Sequence, residues 1–316
     1  AVTLQVLTEA LDAGIIIDKV FLRTDNTSFY RNQQKIYWAG YQLFLEQLKK
    51  LPEYGIENYI NSKKGLFVNE PKGKLYRNPQ NFSAAYILLQ YLMRGFLRFC
   101  SNNLLNNQWQ ILVGHQTNLS LQEKPNKYIS LTPPKDRIWA DPFLAKHDGK
   151  YYLLFEEKLN QSKHAHISCF ELNEKGERLS KNPVIVVKEN YHLSYPFVFS
   201  YNNHYYLVPE SAENKSVVLY RAVNFPYDWE KEAILLDDKL IYDATLHHHT
   251  DGLWYLFCTE KEDGRFSSDA YFHIYYSSSH EGPFLPHPKN PIYSDVRKSR
   301  PAGALFYQDK KLIRPA

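Results

Sequence analysis

The chain has 316 residues, of which 44% are hydrophobic, 15% aromatic and 23% charged. That balance suits a soluble protein with room for two domains, and a formal net charge of +4 is too small to argue for a nucleic-acid partner. Cys100, Cys169 and Cys258 are odd in number and widely spaced, without metal-ligand spacing or a disulfide framework, and read as reduced, buried thiols of a cytoplasmic protein.

Residues 1–50 read as α/β. Val2 to Leu7 forms a strand, Leu11-Asp12-Ala13-Gly14 a turn, and Ile15 to Leu22 a second strand. Thr24 to Ser28 caps a helix running from about Tyr30 to Lys50. The succession VT, LDAG, apolar strand and DNTSFYRNQQKIYWAGYQLFLEQLKKL resembles the tail of the formyltransferase fold, as in methionyl-tRNA and sugar N-formyltransferases. The resemblance covers only these fifty or so residues. It implies that the family's catalytic Asn, His and Asp and its folate loop lie before Ala1. The expectation is a remnant whose partner is a missing N-terminal formyltransferase-like domain, with no formyl transfer by these residues alone.

Residues 51–106 read as a helical connector. The stretch 65–81, rich in Pro, Gly and Asn, is a loop or small hairpin, and Phe82 to Leu105 is a strongly apolar helix. Its apolar run is broken by Gln90, Arg94 and Arg98 and falls short of the roughly 20 residues a spanning helix needs. A core or docking helix is the first reading. Peripheral attachment to a membrane is the second, with Arg94 and Arg98 facing anionic headgroups.

From residue 107 onward the chain turns to β. Asn107 to His115 is a strand assigned to ring closure, and Lys124 to Lys135 leads into the first of four similar hairpins. WADPFLAKHDGKYYLLFEE starts at Trp139 and SYPFVFSYNNHYYLVPES at Ser194. YDATLHHHTDGLWYLFCTE starts at Tyr242, and a weaker RPAGALFYQDKKLIRPA at Arg300. Asp-Gly and Asn-Asn supply the turns, because the tight hairpin turn needs positive φ. Copies beginning at Asp141, Tyr195, Asp243 and Pro301 give a period of about fifty residues, the signature of propeller blades. The predicted fold is mainly β: a five-bladed β-propeller over 107–316 with an incomplete last blade, behind the α/β remnant and the connector. Two packed sheets with coincidentally similar hairpins are the alternative.

Each hairpin starts and ends at the same rim, and inner strands converge on the propeller axis. Asp141, Glu210 and Asp243 are therefore expected to crowd one funnel as catalytic acids, their pKa values pushed apart for work on a glycosidic bond. Trp139, Glu157, His192, Tyr195 and Arg300 are assigned to substrate binding around them. For each residue a plain structural role remains the competing reading, since strand ends often carry acids that touch water. His247-His248-His249 sit near a far-end turn and alternate faces, so they read as surface residues rather than a metal site. Neither a metal nor a cofactor is called for.

The hairpin copies, with HLSYPFVF, GPFLPHPKN and SRPAG, resemble the propeller domain of plant glucosamine inositolphosphorylceramide transferases over about 135–316. More distantly they are similar to five-bladed propeller glycosidases of the arabinanase and xylosidase type. That likeness implies an Asp base, a second Asp that tunes pKa and a Glu acid. Asp141 fits the base, but Glu210 precedes Asp243, which departs from the usual order. The expected function is sugar transfer or processing in glycoconjugate or polysaccharide biosynthesis. Its substrate would be a sugar, nucleotide sugar or lipid-linked glycan. A sugar-binding module, a scaffold and a hydrolase are the alternatives.

Overall fold

The structure is a computed structural model that describes residues 1–7, 14–25, 28–66, 80–104, 109–114, 128–261 and 271–316. The predicted Leu11–Gly14 turn and most of the 65–81 loop lie outside them. The chain divides into two compact units, residues 1–106 with 293–297, and residues 107–292 with 298–316.

In the first unit β1 (Val2–Val6) pairs antiparallel with β2 (Ile15–Val20). The helix α1 (Phe29–Tyr54) lays Ala39 and Leu43 on Val20. Ser28 starts α1 because its hydroxyl accepts the Arg31 backbone N–H at 3.2 Å, satisfying a donor that the first helical turn leaves unpaired. Gly55, at φ +72°, separates it from α2 (Ile56–Lys63). The helix α3 (Asn81–Leu104) follows, with side chains from Phe82 to Leu97 almost all exposed. Cys100 on α3 is half-exposed, not buried as expected, while Cys169 and Cys258 are buried free thiols.

The second unit is a propeller. Its first sheet pairs β3 (Ile111–Gly114) with β4 (Tyr128–Leu131). The sequence assigns β3 to ring closure; among the described residues it pairs instead with its own successor. The first full blade runs β5 (Arg137–His147), β6 (Lys150–Leu159), β7 (His166–Leu172) and β8 (Val184–Val187). The second runs β9 (Ser194–Tyr201), β10 (His204–Glu210), β11 (Val217–Asn224) and β12 (Asp228–Leu236). The third runs β13 (Leu240–His248), β14 (Trp254–Lys261), β15 (Tyr271–Ser277) and β16 (Leu285–Pro286). A short hairpin, β17 (Phe306–Gln308) with β18 (Lys311–Ile313), opens the next position. Three full blades and two partial sheets thus occupy five positions, and the last is incomplete.

Blades stack face to face, so both faces of a middle strand are dry and its sequence reads as a continuous apolar run. On β6, Leu153 and Phe155 pack toward Ile111 and Leu131 of the first sheet, whereas Tyr152 and Leu154 pack toward Leu193, Leu207 and Val218 of the second blade. On β10, Val208 and Tyr206 turn to the third blade, against Leu246 and Leu256. The turns follow the sequence signals. Asp148-Gly149, Asn202-Asn203 and Asp309-Lys310 each carry two consecutive positive φ angles, the primed-turn geometry that matches strand twist.

Candidate functional site

The three inner strands share one irregularity. Each ladder loses register beside the first residue of its copy, between Ala140 and Phe143, opposite Val208/Glu210, and between Tyr242 and Thr245. The displaced residues Asp141, Tyr195 and Asp243 have φ of +48°, +43° and +53°. An extra residue in a strand re-aims its side chain, and a left-handed conformation outside glycine is a strained one that surrounding structure must enforce. The bulges take two acids and one tyrosine out of the regular alternation of their strands. They also stitch neighbouring blades: the Asp141 carboxylate accepts the Tyr195 N–H, and Glu210 Oε2 accepts the Asp243 N–H at 3.1 Å.

Asp243 is buried and ionically clamped. Arg300 donates to it from Nε and from Nη2, the latter at 2.9 Å to Oδ1. Nη2 also lies 3.9 Å from Glu210 Oε2, and the guanidinium sits over the Tyr242 ring at 5.4 Å. Arg300 is committed to carboxylates rather than held ready for a substrate anion. Glu210 is pushed well above the carboxylate range by burial, then by the Asp243 charge and a hydrogen bond shared with that carboxylate, against the pull of Arg300. It is pushed toward its protonated form beside the Asp243–Arg300 pair. Asp141 is pushed up to about 6 by the protein around it and by the charges of Glu156 and Asp243, with Arg300 opposing. The residue is exposed to water, which tempers that push.

Glu156 and Glu157 both close the first hairpin, and the sequence assigns Glu157 to the site where the structure favours Glu156. Its Oε1 lies 3.2 Å from Nε2 of His192, whose Nδ1 accepts the Ala165 N–H at 3.3 Å, so the neutral ring carries its hydrogen on Nε2 and donates it to Glu156. Aligning the copies reveals the signal: YYLLFEE, YYLVPES and WYLFCTE place Glu156 with Glu210 and Thr259, and Glu157 with Ser211 and Glu260. The ladders agree, since Glu156 faces Ala140 and Glu210 faces Ser194, each the residue just before a bulge.

Three assignments to substrate binding are corrected. Glu157 and Trp139 are 2% and 1% exposed, in the wall between the first sheet and the first blade. Trp139 packs edge-on against Phe155 and Phe170 and donates Nε1–H to Glu157 Oε1 at 3.1 Å. Burial would raise Glu157, but hydrogen bonds from His166, Ser168, Trp139 and Arg137 outweigh it and hold it down at about 2. Tyr195 is buried too: its hydroxyl meets Thr245 Oγ1 at 2.9 Å and accepts the Gly303 N–H at 2.8 Å, and burial raises it to about 12. Its bulge directs the ring into the blade contact against Phe143 instead of into open space. Of the histidine triplet only His248 is exposed, stacked on Trp254; His247 and His249 are half-buried. Among the described residues no group of three His, Cys, Asp or Glu side chains is placed to hold a metal ion.

Blades whose inner bulges carry Asp141 and Asp243, the latter clamped by Arg300 beside Glu210, define a β-propeller with a carboxylate cluster on its inner strands. Residues 130–316 match the family described as glucosamine inositolphosphorylceramide transferase 1, N-terminal, and the chain belongs to that family. Proteins named glucosamine inositolphosphorylceramide transferase 1 from Arabidopsis thaliana and Oryza sativa subsp. japonica are each 38% identical to it, over 55% and 56% of this chain. The matched regions are 23% and 24% of those relatives, so the chain spans about a quarter of their length. Among solved structures, a GH43 protein from Bacillus licheniformis is similar over 56% of this chain and 36% of its own, with 17% identity and a TM-score of 0.43. An exo-beta-1,3-galactanase from Phanerochaete chrysosporium is similar over 59% and 46%, with 12% identity and a TM-score of 0.45.

Proposed function

We propose that the rim works on a sugar, as a transfer or processing step of glycoconjugate or polysaccharide assembly. The arrangement that carries this reading is Glu210, buried against the Arg300-clamped Asp243 and pushed toward its protonated form, together with Asp141, exposed at its own bulge and deprotonated above about pH 6. Glu210 gives its proton to the oxygen leaving the anomeric carbon as that C–O bond breaks. Asp141 takes the proton of the incoming hydroxyl as the new C–O bond forms, and exchange with solvent restores both acids. Water as the incoming group makes the same chemistry a hydrolysis.

Two features narrow the substrate. A leaving alkoxide needs the proton of Glu210, whereas a leaving diphosphate does not, and Asp141, Glu156 and Asp243 would repel one. The relatives' name joins a glucosamine to an inositolphosphorylceramide. On this reading the sugar end of such a glycolipid enters the rim and its phosphate stays outside. The test assays the chain with aryl glycosides and glycosylated lipids, with and without an acceptor alcohol, beside the D141N and E210Q variants. Both variants should fold normally and lose about 10²–10⁴-fold in turnover. Unchanged turnover in both would leave a binding module. Unfolding of D141N with normal sugar binding in its folded fraction would make Asp141 a turn residue.

A further inference from the structure

The helix α3 does not behave as a helix that packs on protein. Phe82 is 94% exposed, Leu92 and Phe96 63%, Leu88 61% and Met93 54%. Turning 100° per residue, Ser83, Gln90, Arg94, Arg98 and Ser101 fall, with Ile87 among them, within an arc of roughly 80°. Apolar side chains from Tyr91 round to Leu97 fill an arc of about 240°. A protein partner covers a stripe of somewhat over 100° on a helix. An arc this wide is covered either by a core that surrounds the helix or by acyl chains, and here its apolar side chains are exposed.

Charge supplies the second argument. The 24 residues of α3 contain two arginines, Arg94 and Arg98, and no acid. Both arginines lie in the polar arc, where a helix lying flat would present them to headgroups. No helix of the described residues is long and apolar enough to cross a membrane. The polar residues recur at 90, 94 and 98, through the middle of α3, where a spanning helix would have to bury them.

We propose that α3 lies in the surface of an anionic lipid bilayer, its wide apolar arc in the acyl region and Arg94 and Arg98 among the phosphates. This is a two-signal attachment, apolar area with basic charge, of the kind an interfacial helix uses. It does not depend on the chemistry assigned to the propeller.

The whole chain is sedimented with vesicles of phosphatidylcholine alone and of phosphatidylcholine with phosphatidylserine, at low and high salt. Binding should require phosphatidylserine and weaken with salt. The R94Q/R98Q variant should bind phosphatidylserine vesicles on the order of tenfold or more weakly, and L88D/L92D/F96D should not bind. Because these positions are exposed, the melting temperature should not move. A polarity-sensitive dye on Cys100, within the apolar arc, provides a readout independent of the variants, and its emission should shift to the blue on adding phosphatidylserine vesicles. Binding to neither vesicle, or equal binding to both, overturns the proposal. So does a dimer in light scattering that L88D/L92D/F96D converts to monomer without any vesicle binding, because a second copy then covers the helix.

Discussion

Glu157 and Glu210 occupy corresponding ends of two blades and are both largely removed from water, yet they hold their protons oppositely. Glu157 meets donors: Arg137, Trp139, His166 and Ser168 all point hydrogens at it. Glu210 meets another carboxylate, one backbone N–H and, at 3.9 Å, only the edge of the Arg300 guanidinium that Asp243 already holds. Burial acts alike on both, so the company of each group decides the outcome. Glu260 repeats the first arrangement in the third blade: hydrogen bonds from His273, Lys239 and Tyr275 overcome burial and hold it at about 2. The propeller thus carries ionised glutamates in its walls and a protonated one at its rim. Only the second kind can give a proton to a substrate.

The largest test of that contrast is truncation. Removing Glu157 as E157A leaves Arg137, His166 and the Trp139 N–H facing a buried gap, and should cost about 3–5 kcal/mol. E210Q keeps the shape, the acceptor for the Asp243 N–H and a neutral group where a neutral acid stood. Its stability should stay within about 1 kcal/mol of the parent. Urea unfolding measures both, and equal losses would erase the distinction between wall and rim.

Acid titration is the next test, and its sign differs between the two groups. Glu157 and Glu260 have folded values depressed from 4.5 to about 2. Their stabilisation is full above pH 4.5 and lost as pH falls toward 2, on the order of 3 kcal/mol each. Asp141 is raised from 3.8 to about 6. Its folded form binds the proton more tightly, so its contribution is present below pH 3.8 and is lost as pH rises through 6. Glu210, raised from 4.5 to about 8, acts with the same sign as Asp141, so stability should peak near pH 4.5 and fall on the alkaline side. E157Q should flatten only the acid side of that peak, and D141N only the alkaline side. A single limb affected by both variants would break the comparison.

How much of this could be read from the chain depends on how local the cause is. Asp148-Gly149 and Asn202-Asn203 announce their turns because the turn itself demands positive φ. The stacked blades are legible in YYLLF, where both faces of one strand are apolar. The bulges are not legible, since nothing in Asp141-Pro142 or Tyr195-Pro196 states that the strand must shift register there. The parity of Glu156 and Glu157 is also hidden in a single copy, because each follows a buried apolar residue two positions earlier. It becomes visible only when copies are aligned. The partner of β3 lay beyond a polar stretch that reads as connection, so β3 was sent to the far end of the ring. The apolar pattern of α3 named a helix, but the pattern cannot say what covers it.

The smallest test concerns Tyr195, which shares the bulge geometry of Asp141 and Asp243 without their chemistry. Its hydroxyl joins the second blade to Thr245 of the third and to the backbone of Gly303. The Y195F variant keeps the ring against Phe143 and the backbone donation to Asp141, and removes only those two bonds. Thr245 is fully buried, so its hydroxyl loses a partner that water cannot replace. The cost should be about 1–3 kcal/mol, a melting temperature lower by several degrees. If the tyrosine only joins blades, KM and the pH profile of the folded variant should match those of the parent. A raised KM with unchanged melting would instead put the hydroxyl on the substrate, and would return Tyr195 to the set that the sequence first assigned it to.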